Sequence, residues 1–77
     1  MRRTVKDVRF YLDRLNSVLA ELNQPYYYVL GQRYGYKAID RYRVEDNTLV
    51  ETVRSGLTTG QAYDIAYSLY TLAVNLK

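Results

Sequence analysis

The sequence of 77 residues contains neither cysteine nor histidine. The lack of cysteine excludes disulfides, and the two absences together remove the usual protein ligands of zinc and haem. They also remove the side chains from which most nucleophile–base pairs are built, and no lysine is placed to activate any of the three serines. The carboxylates show no spacing typical of a metal site or an acid–base pair. We therefore expect no enzyme, with no catalytic residue, metal, cofactor or small-molecule substrate.

Long hydrophobic runs are also absent, since no apolar segment approaches the roughly 18 residues of a membrane span. The start of the chain, Met1-Arg2-Arg3, leads into an amphipathic helical pattern and not into the uninterrupted apolar segment of a signal peptide. These features, with the lack of cysteine, predict a cytoplasmic protein that makes no membrane contact.

The length of the chain allows one domain, spanning residues 1–77. So short a chain buries a limited fraction of its surface, and its stability margin is expected to be a few kcal/mol. Because disulfides and metals are excluded as supports, oligomerisation is the remaining common remedy. A homodimer is therefore the expected state.

The middle of the chain, from Tyr26 to Arg43, holds six of the ten tyrosines and four of the eleven basic residues. Aromatic and β-branched residues of this density are typical of strands, and glycines interrupt them at Gly31 and Gly35. Long helical patterns flank the segment on both sides. We therefore predict that it forms the sheet nucleus of a small α+β domain.

The first helical pattern begins at a capping-box spacing between Thr4 and Asp7. Apolar residues then recur three or four positions apart and form one face of a helix. They are Val5, Val8, Leu12, Leu15, Leu19 and Leu22. The helix is expected to end before Pro25, and Phe10 falls on its polar face, where it is either an ordinary exposed aromatic or an anchor for a partner.

Three short strands are predicted after this helix. They are Tyr26–Leu30 or slightly beyond, Tyr36–Tyr42 and Thr48–Arg54. Gly31 and Gly35 are expected to bracket the first connection, and a polar turn around Asp46 the second. The expected architecture is helix, three-stranded antiparallel sheet, helix (αβββα), with both helices on one face of the sheet.

The second strand has no clean alternation, because each of its two faces mixes apolar with charged residues. We expect Tyr36 and Ala38 to face the helices, since this arrangement leaves the basic residues in solvent. Asp40 would then be buried and would need a donor such as a tyrosine hydroxyl or an arginine.

The last helix opens with a second capping box, from Thr58 to Gln61. Its expected core stripe consists of Ala62, Ile65, Ala66, Leu69, Leu72, Ala73 and Leu76. A second apolar row, Tyr63, Tyr67, Tyr70 and Val74, widens the apolar arc to about 220°, which is more than one buried face needs. This row either packs over the sheet edge and the first helix or forms an interface, to which Phe10 is a further candidate. The interface interpretation predicts a homodimer through this helix, with Tyr67 farthest from the core stripe.

Charge is distributed unevenly, with +5 on residues 1–43 and −2 on residues 44–77. On the predicted hairpin, basic residues alternate with aromatics that are able to stack on bases. The candidate nucleic-acid contacts are Arg33, Tyr34, Tyr36, Lys37, Arg41 and Arg43. The alternatives for this charge are an acidic protein and ordinary solvation of the surface.

Two resemblances bear on function. The element order is similar to that of double-stranded-RNA-binding domains, but the start of the last helix, Thr58 to Ala62, lacks their lysine cluster. The hairpin motif Tyr34-Gly35-Tyr36-Lys37-Ala38-Ile39-Asp40 and the later Gly56-Leu57-Thr58 resemble those of short uncharacterised proteins of bacteriophages and mobile elements. That group brings no settled activity with it, so the resemblance assigns no residue a role. An accessory or inhibitor protein, of the kind that compact phage genomes encode, is nonetheless the expectation for such a chain.

Two hypotheses follow for function. The first is a non-enzymatic interaction module that self-associates and binds a protein partner. The second is a nucleic-acid-binding protein that uses the basic, tyrosine-rich hairpin.

Overall fold

The computed structural model describes residues 3–77, so that Met1 and Arg2 of the charged start lie outside the described residues. The elements are α1 (Val5–Glu21), β1 (Tyr26–Arg33), β2 (Tyr36–Arg43), β3 (Leu49–Leu57) and α2 (Thr59–Asn75). The strands form one antiparallel sheet in the order β1-β2-β3, so the predicted αβββα fold is confirmed. Within residues 3–77, neither helix combines the length and the apolar content needed to cross a membrane.

Both predicted capping boxes are present. At α1, the Asp7 N–H donates to the Thr4 hydroxyl (3.3 Å), and the Thr4 N–H donates to the Asp7 carboxylate (3.0 Å). At α2, Thr58 and Gln61 exchange the corresponding bonds at 3.2 and 2.9 Å. Each pair satisfies two amides that the first turn of a helix leaves without partners, which fixes where both helices begin.

The apolar face of α1 lies on the sheet as its spacing predicts, with Val8, Leu12, Leu15 and Leu19 buried. A polar clamp adds to this packing, because both ends of the Asn16 amide bond the backbone of Tyr28 in β1. Its Oδ1 accepts from the Tyr28 N–H, and its Nδ2 donates to the Tyr28 carbonyl, each at 2.8 Å. The clamp therefore satisfies backbone groups of an edge strand that would otherwise be open to pairing.

The first hairpin is longer and tighter than predicted. β1 continues through Gly31 to Arg33, so Gly31 belongs to the strand and not to the connection. The connection is Tyr34-Gly35, and both residues have positive φ, at 54° and 81°. This is the two-residue geometry whose twist matches that of paired strands.

β2 presents the opposite face from the one predicted. Ile39 is fully buried in the helix-side core, whereas Tyr36 and Ala38 lie on the face that no helix covers. Ile39 pairs with Leu30, so this register puts two large aliphatic side chains toward the helices. If the opposite face of the strands met the helices, the pair Gly31 and Ala38 would take the place of Leu30 and Ile39. Much less apolar area would then be buried.

α2 packs against α1, and the residues of α2 that are buried are three small ones, Ala62, Ala66 and Ala73. The predicted core stripe also contained Leu72 and Leu76. That assignment is wrong, because Leu72 is 64% exposed and Leu76 is 74% exposed. Alanines let the two helices approach closely, and that approach turns the leucines away from α1.

We expect Leu15→Ala to destabilise the fold by about 2 to 5 kcal/mol, because Leu15 is almost completely buried and its removal leaves a cavity. Phe10→Ala is the matched control on the same helix and should cost less than about 1 kcal/mol, since 53% of Phe10 is exposed. Urea unfolding followed by circular dichroism measures both. Equal losses of stability would show that α1 is rotated relative to the sheet.

Candidate interaction surfaces

Five aromatic rings form one cluster on the outer side of the two helices, here called the aromatic patch (Phe10, Tyr11, Tyr63, Tyr67 and Tyr70). Tyr11 is its centre, with ring centroids 5.5 Å from Tyr63, 5.2 Å from Tyr67 and 5.6 Å from Tyr70. Phe10 meets Tyr11 edge-to-face at 5.2 Å. Such edge-to-face pairs add to the stabilisation that area burial provides.

Contacts within the chain bury only part of the aromatic patch. Tyr11, Tyr63 and Tyr70 are half-buried, whereas Phe10 and Tyr67 are 53% and 47% exposed. The tyrosine row thus packs on α1, which was one of its two sequence-based interpretations. Two rings that both contact Tyr11 nonetheless remain open, so the interface interpretation keeps its support.

Two arginines lie against the aromatic patch and give it positive charge. The guanidinium of Arg3 is 4.1 Å from the ring centroid of Tyr63, and that of Arg14 is 5.4 Å from Phe10 and 5.7 Å from Tyr70. Hydrogen bonding to Tyr70 raises the pKa of Arg14 above its usual value. Both guanidiniums are positioned for cation–π contact with rings of the aromatic patch.

The predicted interface residues come together in space with one partial exception. Phe10, Tyr63, Tyr67 and Tyr70 all belong to the aromatic patch. Val74 lies beyond its end, on a hollow that Arg14 and Tyr70 also line, and is 38% exposed. The sequence did not predict Tyr11 as the hub, although its place beside the apolar stripe of α1 was a usable signal.

A second apolar surface runs along the opposite side of α2, here called the leucine stripe (Ile65, Leu69, Leu72 and Leu76). These residues fall within about 60° of one another on a helical wheel. Ile65 and Leu69 are half-buried, and the exposed fraction rises toward the end of the helix, to 74% at Leu76. Sequence reasoning placed this stripe in the core because large aliphatic residues are normally buried.

The basic residues of the hairpin do not form one surface. The β1–β2 register places Lys37, Arg41 and Arg43 on the helix side of the sheet, and Arg33 with Tyr36 on the open side. Three of the four cations are paired with carboxylates, in the pairs Arg33–Asp40, Arg41–Glu51 and Arg43–Asp46. Because these charges are already compensated, they offer less to a phosphate backbone than the sequence suggests.

The tip of the hairpin is the accessible part of this candidate nucleic-acid site. Tyr34 is completely exposed and Tyr36 is 55% exposed. Lys37 donates a hydrogen bond to the side-chain amide oxygen of Gln32, at 3.1 Å, and forms no ion pair within residues 3–77. The tip therefore keeps two aromatic faces and one uncompensated cation.

On the open face of the sheet, Asp40 is buried beneath its own partners. Arg33 donates two hydrogen bonds to its carboxylate, at 3.2 and 2.9 Å, and the Thr52 hydroxyl donates a third at 3.0 Å. Asp40 is 2% exposed and has the expected arginine donor, but it is buried on the open face and not, as predicted, on the side of the helices. The bond to Asp40 also raises the pKa of Arg33.

Gly31 makes room for this ion pair. A Cβ at Gly31 would lie 2.8 Å from Asp40 Oδ2 and 3.7 Å from Arg33 Nη1. The Arg33 side chain therefore passes over position 31, where a residue larger than glycine would collide with the Asp40 carboxylate. On this face, which no helix covers, the ion pair therefore shields part of the sheet from solvent.

The chain was compared with family models, curated proteins and solved structures, and none of them matches it.

We expect Gly31→Ala to destabilise the protein by about 1 to 3 kcal/mol, because the added methyl group displaces the Asp40 carboxylate from its donors. Gly60→Ala is the matched control in α2, where the new Cβ meets nothing closer than 4.0 Å and helix propensity improves. In thermal unfolding, the midpoint temperature should fall for Gly31→Ala and rise slightly for Gly60→Ala. A Gly31→Ala protein as stable as the unaltered chain would contradict the close fit.

Proposed function

We propose that the protein is a non-enzymatic interaction module that self-associates and binds a protein partner inside the cell. The resemblance of its hairpin to phage and mobile-element proteins makes an accessory or inhibitor role the natural setting. The observation that carries the proposal is the aromatic patch, where two half-exposed rings stand beside two arginines.

The chemistry of the aromatic patch suits a particular kind of partner. Aromatic and arginine side chains dominate binding energy at protein interfaces, above all where partly buried neighbours hold them in place. Tyr11 supports both Phe10 and Tyr67 by edge contacts, so little side-chain entropy is lost when a partner covers them. Arg3 and Arg14 add positive charge, which favours a partner segment with apolar anchors next to Asp or Glu.

Nucleic-acid binding through the hairpin has less support. Its favourable feature is the accessible tip, with Tyr34, Tyr36 and Lys37. Against it stands the pairing of Arg33, Arg41 and Arg43 with carboxylates, which leaves the strands without a continuous row of free cations.

We expect selection from a random peptide display library on the full chain to enrich apolar peptides flanked by acidic residues. Binding of a selected peptide should weaken about tenfold or more with Phe10→Ala or Tyr67→Ala, because each truncation removes a half-exposed anchor. Tyr34→Ala is the matched control, since Tyr34 is the fully exposed aromatic at the hairpin tip and does not belong to the aromatic patch. Fluorescence anisotropy measures the affinities.

The same variants separate the alternatives. Peptides that lose affinity with Tyr34→Ala and not with Tyr67→Ala would contradict the aromatic patch as the docking site. Retention of single-stranded DNA or RNA that falls with salt and is lost with Lys37→Gln would favour the hairpin function instead. Unchanged melting temperatures show that lost binding is not lost folding.

A further inference from the structure

Charge compensation differs between the two ends of the molecule. At the end where the helices stop, Arg41, Arg43 and Lys77 are held in ion pairs. Lys6 and Arg9, in the first half of α1, are exposed and form no ion pair among residues 3–77. Four cations against two carboxylates leave residues 3–14 with a net charge of +2. The uncompensated positive charge is therefore greatest where α1 begins.

The tip of the first hairpin lies at this same end. Residues 22–25 form a short connection that reverses the chain between α1 and β1, and Asn16 bonds Tyr28 where the two elements meet. Lys6 lies ten residues before Asn16, about 15 Å along the helix. Arg33 lies five residues after Tyr28, about 17 Å along the strand. Lys6 is therefore level with the hairpin tip.

Lys37 adds a third cation from the sheet. Its side chain lies on the helix side, across from Leu57, which directly precedes the N-cap of α2. The starts of both helices line one hollow, so Lys37 and Lys6 belong to the same end of the molecule. Arg9 borders β1 in another hollow, which it shares with Leu30. Three cations without ion pairs thus surround the tip on its helix side.

The tip itself carries an aromatic ring that the fold does not use. Tyr34 is completely exposed, so no burial stabilises the ring. Its φ of 54° lies in the left-handed region, where this turn position normally holds asparagine or glycine. The turn therefore disfavours a tyrosine, and no contact offsets that cost. A strained residue without a structural role points to a function outside the chain.

We propose that this end of the molecule binds single-stranded nucleic acid, with a base stacked on Tyr34 and phosphates on Lys6, Arg9 and Lys37. A protruding ring offers flat faces and no recess, which suits a base and does not suit a peptide side chain. The bases must be unpaired, because those of a duplex remain stacked on one another.

This site differs from the nucleic-acid site expected from the sequence. The strand cations Arg33, Arg41 and Arg43 are held by carboxylates, and cations of α1 take their place. None of the proposed contacts belongs to the aromatic patch. The activity is therefore additional to the proposed function.

Fluorescence anisotropy with a labelled oligothymidylate of about ten nucleotides tests the proposal, since a site of this kind covers a few to about sixteen nucleotides. Binding should weaken with salt. The slope of log K against log salt should be about −2, because each of three phosphate contacts on a single strand contributes about −0.7.

Tyr34→Asn separates a binding role from a structural one. It should weaken binding of the single strand at least about fivefold, because one stacked base is lost. It should also raise the melting temperature, since asparagine suits the left-handed turn. Tyr36→Ala is the matched control, because Tyr36 is 55% exposed but lies on the open side of the sheet. A duplex of the same length should not respond to Tyr34→Asn.

Substitution of single cations locates the phosphate contacts. Lys6→Gln, Arg9→Gln and Lys37→Gln should each weaken binding and reduce the salt slope by about 0.7. Lys77→Gln is the matched control, since Lys77 is paired with Glu21 at the other end of the molecule. Tyr67→Ala should leave binding of the oligonucleotide unchanged.

Three results would overturn the proposal. The first is binding of the single strand that Tyr34→Asn leaves unchanged. The second is loss of binding through Lys37→Gln alone, without an effect of Lys6→Gln or Arg9→Gln, which would place the site on the hairpin only. The third is an oligoglutamate of equal charge that binds as tightly as the oligonucleotide, which would assign this end to an acidic protein. Peptide binding at the aromatic patch is measured with a different ligand, so either proposal can fail without the other.

Discussion

The close contact between α2 and α1 determines what the rest of the molecule shows to its surroundings. Ala62 and Ala66 are completely buried in this contact and Ala73 is 4% exposed, so α2 lies against α1 with little side-chain bulk between them. Larger residues flank these alanines on the wheel at roughly 70 to 90° on either side. The tyrosines fall on one flank and reach Tyr11. The leucine stripe falls on the other, where Leu69 is half-buried against the core and Leu72 and Leu76 are exposed. One helix therefore has two apolar sides with different chemistry.

Local sequence signals predicted the parts of the fold that depend on local physics. Thr4 and Thr58 fixed both helix starts through capping boxes, and the three- and four-residue spacing around Leu12 and Leu15 identified the buried face of α1. Gly35 marked the hairpin turn. Each of these signals acts within one turn or one helix face, and tertiary packing did not override it.

The errors arose where packing between elements decides. Leu72 and Leu76 of α2 were assigned to the core because apolar size usually indicates burial, but the buried face of the helix is centred on the smaller alanines. Gly31 was interpreted as a loop residue, whereas its lack of a side chain serves the ion pair of Arg33 and Asp40 across the sheet. The pairing of hairpin cations with Glu51 and Asp46 was likewise invisible before the strands were in register. The aromatic patch was predicted only in part. Its α2 row was predicted from the sequence, but Tyr11 was not recognised as its centre, although it lies beside the apolar stripe of α1.

Thiol labelling of single cysteine variants tests the orientation of α2 most directly, because the chain has no cysteine of its own. Ala66→Cys lies at the α1 contact, Tyr67→Cys on the aromatic side and Leu72→Cys on the leucine side. At a concentration low enough to keep the chain monomeric, the account predicts ready reaction at positions 67 and 72, and reaction at least about tenfold slower at position 66, which must wait for local opening. Equal rates at positions 66 and 72, or faster reaction at 66, would contradict it.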